Sequence, residues 1–519
     1  MPRRGDSRGL DPFDASEAMA LPELRNAPPG TRPATRRSST RAALSLDGAM
    51  PFLVALFVYA LMLWSGAKLL HDGDTFFHIA AGDWIWAQGQ VPHSDPFSFT
   101  MRGAPWVAHE WLAELALAGA YAALGWTGVI ALSAAAIAAA YWLLARFLEE
   151  KLRPPAVLLG LAASFLLAAP HLLARPHVLT MPILVAWMIA LERAAARRRP
   201  PPLSLLPLMV LWANLHGGFV LGLALIGLPA LEAVLATADG GARRTAMLSW
   251  GGFFLAALIA ATLTPNGVAG LLLAFRLAHQ SFSLDFISEW HSTDFTRFQP
   301  LEIWILGLLA LGFWLRPRLP WTRLLLLLGL VHMALAHSRN ADLLALIGPI
   351  LLAQPVGQAL GGKTAGRVAP RRDRRVYLLG AAAVALLSLI AWVEPVVPHD
   401  QRVAPSDALA AAAAAGIAGP VFNAYDFGGY LVFAGVAPFV DGRVDVYGDA
   451  FMAQYADAIA ARGDALPRLL DRYRIAWSLL TPQMPAVAAL DRSPDWVRVY
   501  ADASAVVHRR RGAVSPPKP

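Results

Sequence analysis

The segment HDGDTFFH places Asp72 and Asp74 at i and i+2, with His78 four residues beyond Asp74. On extended chain, residues i and i+2 share a face, so both carboxylates point the same way. Such a pair has two chemical uses. It can hold a hard divalent cation such as Mg²⁺ or Mn²⁺ through oxygen ligands. Alternatively, one carboxylate can act as a general base toward an acceptor hydroxyl. More polar residues follow at intervals: His93 and Asp95, then His109, Glu110 and Glu114, then His171, Arg175 and His177. Asn214 and His216 come next in NLHGG, then Asn266, then Glu289, His291 and Asp294 in SEWHSTD, and finally His337, Arg339 and Asn340 in HSRN. Arg175 and Arg339 carry the guanidinium groups suited to clamping phosphate oxygens in bidentate fashion.

The elements that must position these residues are membrane spans. The chain has 519 residues, of which 56% are hydrophobic and only 15% charged, well below the charged share of a soluble protein. Apolar runs recur at lengths suited to crossing a bilayer. Eleven spans account for them, near 50–70, 127–147, 155–171, 177–193, 202–215, 218–236, 246–264, 300–315, 322–336, 340–358 and 376–394. The fold class expected is an all-α polytopic membrane protein of about 11 transmembrane helices, with a small C-terminal α/β extracytoplasmic domain. Residues 1–48, rich in Arg, Pro and Ser, read as a disordered basic cytoplasmic tail. Residues 49–394 form the membrane domain, with a large first outer loop at 71–126, and 395–519 the extracytoplasmic domain.

Arginine content alternates between successive loops. One set holds clusters such as Arg197, Arg198 and Arg199, or Arg316, Arg318 and Arg323; the other holds isolated residues. By the positive-inside rule the first set is cytoplasmic, which places the amino terminus inside and the C-terminal domain outside the plasma (inner) membrane. The formal charge of +8 is then mostly anchor charge, and no nucleic-acid partner is expected. Zero cysteines exclude disulfides, thiolate metal sites and cysteine nucleophiles.

With this topology the polar residues gather on one face, the outer one. Polar loop residues meet water and cap helices, so no single one demands a function. The short outer turns hold the set close to the interface, where unpaired charge is costly, and the set reads as one site. A phosphate bound at that surface points to a lipid-phosphate substrate. In the tail, Asp441, Arg443, Asp445 and Tyr447 read equally well as an ion-paired turn or as part of a surface that holds an acceptor. The stretch 111–124 reads as an interfacial helix, Pro420–Tyr425, Tyr430–Phe433 and Ile475–Leu480 as strands, and the last two strands as a hairpin around Asp502.

The stretch DGDTFFHIAAGDWIWAQGQVPHSDPFSFTMRGAPWVAHEWLAEL resembles the first outer loop of bacterial GT-C type membrane glycosyltransferases. The NLHGGF, TPNG and SEW segments fit the same group, as does NAYDFGGYLVFAGVAPFVDGRVDVYG in the tail. The resemblance covers about residues 50–510. Wider relatives include oligosaccharyltransferase catalytic subunits, protein O-mannosyltransferases and aminoarabinose transferases. It implies transfer of a sugar from a polyprenyl-phosphate-linked donor to an extracytoplasmic lipid, glycan or protein acceptor. It assigns the catalytic or metal-linked role to Asp74 or Asp72, with Asp74 favoured, and no cofactor beyond that cation. Arg175 and Arg339 are the expected donor-phosphate ligands. His78, His109, Glu110, Asn214, His216, Glu289 and His291 are expected to shape the cavity. The alternatives are a transporter or flippase of a lipid-linked glycan, a glycan polymerase or ligase, and a non-catalytic envelope assembly or sensor protein.

Overall fold

A computed structural model describes residues 48–277, 288–361, 373–398 and 400–512. The expected basic tail, much of the basic loop after residue 361 and part of the 264–300 loop lie outside the described residues.

Long apolar helices make up most of the chain. Six are long and apolar enough to cross a membrane: Trp111–Lys151, Pro154–His171, Pro176–Ala196, Gly240–Ala261, Ser338–Ala359 and Arg374–Val393. Five shorter apolar helices, Met50–Trp64, Leu203–Leu215, Phe219–Leu235, Pro300–Leu315 and Trp321–Ala336, cover the other segments expected to span. Their outward faces stay apolar, with Leu248, Leu255, Phe313 and Leu386 exposed, as lipid contact requires. Polar side chains inside the bundle satisfy backbone groups on neighbouring helices. Ser164 Oγ donates to Ala345 O at 2.6 Å, and Trp187 Nε1 donates to Gly222 O at 2.9 Å.

The stretch 111–124 is a helical segment of its own, joined across a break to the segment that runs on to Lys151. Gly125 (φ 61°) and Leu124 break the helical geometry, so the chain enters the bundle through a kink. Before it runs the helix Gly73–Gln88. Asp72 caps its start by accepting the Asp74 N–H at 2.7 Å, and Gly89 ends it in the left-handed region (φ 64°). Gly82 lets this helix lie directly on the Glu114 carbonyl, where a side chain has no room.

The C-terminal part is a small four-stranded sheet with helices around it. Strands β1 (Val421–Asn423), β2 (Trp477–Leu480), β3 (Trp496–Ala501) and β4 (Val506–Arg510) lie in the order β1-β2-β4-β3. β1 and β2 are parallel; β4 is antiparallel to both neighbours, and β3–β4 is the hairpin expected around Asp502. The segment Tyr430–Phe433 departs from the expected strand. It belongs to the helix Gly428–Phe433, because Tyr430 and Phe433 pack edge-on against Phe76 at 5.2 and 5.5 Å. That aromatic contact seats the C-terminal domain on the Gly73–Gln88 helix.

Candidate active site

The capped start of Gly73–Gln88 presents Asp72 and Asp74 to Arg175, which precedes the helix Pro176–Ala196. Arg175 Nη2 pairs with Asp72 and lies 3.2 Å from Asp74 Oδ2; its Nη1 lies 3.1 Å from Glu289 Oε2. One guanidinium therefore bridges three carboxylates. Burial pushes the Asp74 carboxyl up to about 6; Arg175 opposes this, and the Asp72 and Glu289 charges add to it. Burial opposes charge on Arg175 as well, yet its three carboxylate neighbours keep it protonated.

One turn along the helix, His78 stands between two carboxylates. Its Nε2 lies 3.9 Å from Glu110 Oε2 and its Nδ1 lies 3.5 Å from Glu114 Oε1. Burial opposes charge on His78, but Glu114, Glu110 and Asp74 raise its pKa above the usual histidine value. Glu110 also faces His109 Nε2 at 3.8 Å and His216 Nε2 at 3.5 Å. Burial works against its ionisation, and the surrounding histidines with Arg339 hold its carboxyl below the usual range. His216 Nδ1 accepts the Gly218 N–H at 3.0 Å. The neutral ring then carries its proton on Nε2, which donates toward Glu110 and offers no lone pair to a metal.

Two cavities meet here. A polar one of about 580 Å³ is bounded by Asp72, Asp74, His78, Glu110, Glu114 and Arg175, and by Tyr425, Asp426, Gly442 and Asp445 of the C-terminal domain. An apolar one of about 390 Å³ runs among Met181, Leu184, Leu221, Leu273, Met333 and Leu343 between the helices. They share His109, His177, His216, Glu289, Trp290 and Arg339, which form the neck between them. Arg339 stands over the Trp290 ring at 5.2 Å, and no carboxylate pairs with it among the described residues.

Most of the expected site residues thus converge: Asp72, Asp74, His78, His109, Glu110, Arg175, His216, Glu289 and Arg339 all line a cavity. Asn214 does not. Its Nδ2 donates to Val210 O and Leu263 O and its Oδ1 accepts from Trp111 Nε1, so the amide joins helices. His291 lines neither cavity, and its carbonyl accepts the Ser338 N–H at 3.0 Å. As for a divalent cation, no group of three or more His, Asp or Glu with metal-holding geometry occurs among the described residues. Arg175 occupies the side of Asp72 and Asp74 that a cation would take. The pair does not fit a metal as arranged.

Solved structures similar to this chain include the following. ArnT from Cupriavidus metallidurans, bound to undecaprenyl phosphate, matches over 91% of this chain and 99% of its own, with 15% identity and a TM-score of 0.50. The fold is that of a GT-C type membrane glycosyltransferase. ArnT in the apo state matches over 91% and 100% with 15% identity and a TM-score of 0.49. The archaeal oligosaccharyltransferase AglB from Archaeoglobus fulgidus, solved with an inhibitory peptide and a dolichol-phosphate, covers 84% of this chain and 70% of its own at 12% identity and a TM-score of 0.34. No protein-family profile and no curated protein matches the sequence. With this GT-C fold the chain is a multi-pass membrane protein.

Residues of the C-terminal domain on the cavity wall were not singled out as site residues by sequence. Asp445 read there equally as part of an ion-paired turn or of an acceptor-holding surface, and Tyr425 as the end of a strand. Burial raises the Asp445 carboxyl, against the opposing charges of His109 and Arg443. The signal available was the position of both in the tail stretch NAYDFGG…FVDGRVDVYG, which shares its resemblance with the loop.

Proposed function

We propose that this protein transfers a sugar from a polyprenyl-phosphate-linked donor to an extracytoplasmic acceptor, with inversion at the sugar's anomeric carbon. The observation that carries this reading is the joined pair of cavities, one polar and one apolar, with Arg339 at the neck making no salt bridge among the described residues. An amphiphilic donor fits that division. Its first isoprene units occupy the apolar cavity, its phosphate meets Arg339, and its sugar extends into the polar cavity.

In the reaction an acceptor hydroxyl oxygen bonds to the anomeric carbon from the face opposite the phosphate. The bond from that carbon to the phosphate oxygen breaks, and the phosphate leaves on the polyprenyl chain with its charge held by Arg339. The acceptor proton passes to Asp74, whose raised pKa suits a base working near neutrality. Arg175 was expected to bind phosphate. Its three carboxylate partners favour a different role, holding Asp74 and Asp72 in place. A divalent cation would need Arg175 to swing away from this pair.

The reading includes eleven spans, an inside amino terminus, and residues 395–519 facing outward from the plasma (inner) membrane, as the arginine alternation requires. A flippase needs polar groups free along the path to the inner face. Arg323, Glu192 and Glu232, at the far end of the bundle, are locked to one another instead. The test is turnover of polyprenyl-phosphate sugars by the purified protein. Release of polyprenyl phosphate coupled to a glycosylated product supports the reading; translocation of intact donor without bond cleavage overturns it.

A further inference from the structure

Residues 442–445 of the C-terminal domain line the polar cavity, and the fit at Gly442 is tight. Gly442 faces the Asp74 carboxylate so closely that a Cβ on residue 442 would fall inside the van der Waals shell of Asp74 Oδ1 and lie 3.0 Å from Asp74 Cγ. The carboxylate cannot simply turn aside, because Arg175 holds its other oxygen at 3.2 Å. Tyr425 reinforces the approach by donating from its hydroxyl to Gly442 O at 3.2 Å.

Arg443 fixes the segment from its other side. It is 6% exposed, donates from Nε and Nη2 to Asp441 at 2.9 and 2.6 Å, and reaches Asp95 of the 71–126 loop from Nη1 at 2.7 Å. Its guanidinium lies 4.9–5.2 Å from the ring centroids of Phe77, Phe97 and Trp106, all from the same loop. Asp95 in turn accepts from the Phe97 N–H at 2.9 Å, which sets that loop's turn. Thr100 Oγ1 donates to Phe439 O at 2.7 Å. A desolvated charge tied this fully is costly to leave unpaired, so the segment has one position.

We infer that Gly442 is a positioning residue for the reaction: held down by the Arg443 lock, it fixes the Asp74 carboxylate in its working orientation against Arg175. The C-terminal domain is on this account a wall of the reaction centre and not an appended module. The inference rests on the proposed role of Asp74 for its effect on turnover, but not for the contact itself.

The test is a thermal-unfolding and turnover cycle on the full chain in lipid nanodiscs, with wild type, Gly442→Ala, Asp74→Ala and the double variant. Gly442→Ala is expected to lower Tm, and the double variant to recover the Tm of Asp74→Ala alone, since the added methyl then has room. If Gly442→Ala does not fold by itself, recovery of folding in the double variant carries the same information. In turnover, Gly442→Ala lowers kcat by about a hundredfold, as misplacement of a reacting group does, while donor KM stays within about twofold. Additive Tm losses in the double variant, or wild-type kcat in Gly442→Ala, overturn the inference. Full turnover by Asp74→Asn alongside a non-additive Tm cycle refutes the base assignment and leaves the contact standing.

Discussion

Two buried ion clusters lie at opposite ends of the bundle, and they are built differently. At one end Arg323 donates to both oxygens of Glu232 at 3.1 and 3.0 Å and pairs with Glu192 at 2.5 Å, while Thr322 Oγ1 donates to Glu232 at 3.0 Å. Neither cavity reaches it. The other end, about 25 Å away along Pro176–Ala196, holds Arg175 with three carboxylates, and Glu110 with three histidines. There Arg175 Nε, His78 Nδ1 and Glu114 Oε2 have no hydrogen-bond partner among the described residues, and the polar cavity opens onto the group. A closed cluster staples helices; a cluster with leftover charge, orphaned atoms and a cavity is equipped to meet a ligand.

Breaking the closed cluster has the largest predicted effect on stability. Arg323→Met leaves two carboxylates buried without their cation and is expected to cost about 3–5 kcal/mol. Thermal unfolding measures it, and kcat per folded molecule should stay unchanged; a fall in kcat with Tm intact would erase the distinction between the ends. At the open end, Arg339→Met should leave Tm unchanged and weaken undecaprenyl-phosphate binding by about 1.5–3 kcal/mol, the worth of a charged hydrogen bond. Titration of the lipid into nanodisc-held protein checks this.

The pH dependence is smaller and sharper. With Asp74 as the proposed base, the turnover rate should fall as pH drops through about 6, where that carboxyl takes up its proton. Glu289→Gln removes a negative neighbour that raises this pKa, so the acid limb should move to lower pH. An unmoved limb would mean another group titrates. The mildest change is Thr322→Val, expected to cost about 1 kcal/mol of stability for one lost hydrogen bond and nothing in turnover.

How far each end was legible in the sequence follows from the range of its contacts. Asp72, Asp74 and His78 belong to one capped helix start, so their grouping is local and readable. His109 and Glu110 lie within the same loop. The tail's contribution is not local: Arg443 meets Asp95 across 348 positions, and no spacing rule records that pairing. Gly442 has no side chain to attract notice; only the folded approach to Asp74 gives it meaning. Tyr430–Phe433 carries an aromatic and β-branched pattern that reads as strand, but tertiary contact with Phe76 makes it helix. Arg323 read as an anchor among Arg316 and Arg318, because sequence alone does not say which of three arginines finds two buried glutamates.

The central claim is that the open cluster is a sugar-transfer centre with Asp74 as its base. Turnover of a polyprenyl-phosphate sugar by the purified Asp74→Asn, Asp72→Asn double variant tests it most directly, with folding verified by Tm and donor binding by titration. Loss of turnover by about two orders of magnitude or more, with the variant folded and donor still bound, is the predicted result. Turnover at the wild-type rate would contradict it.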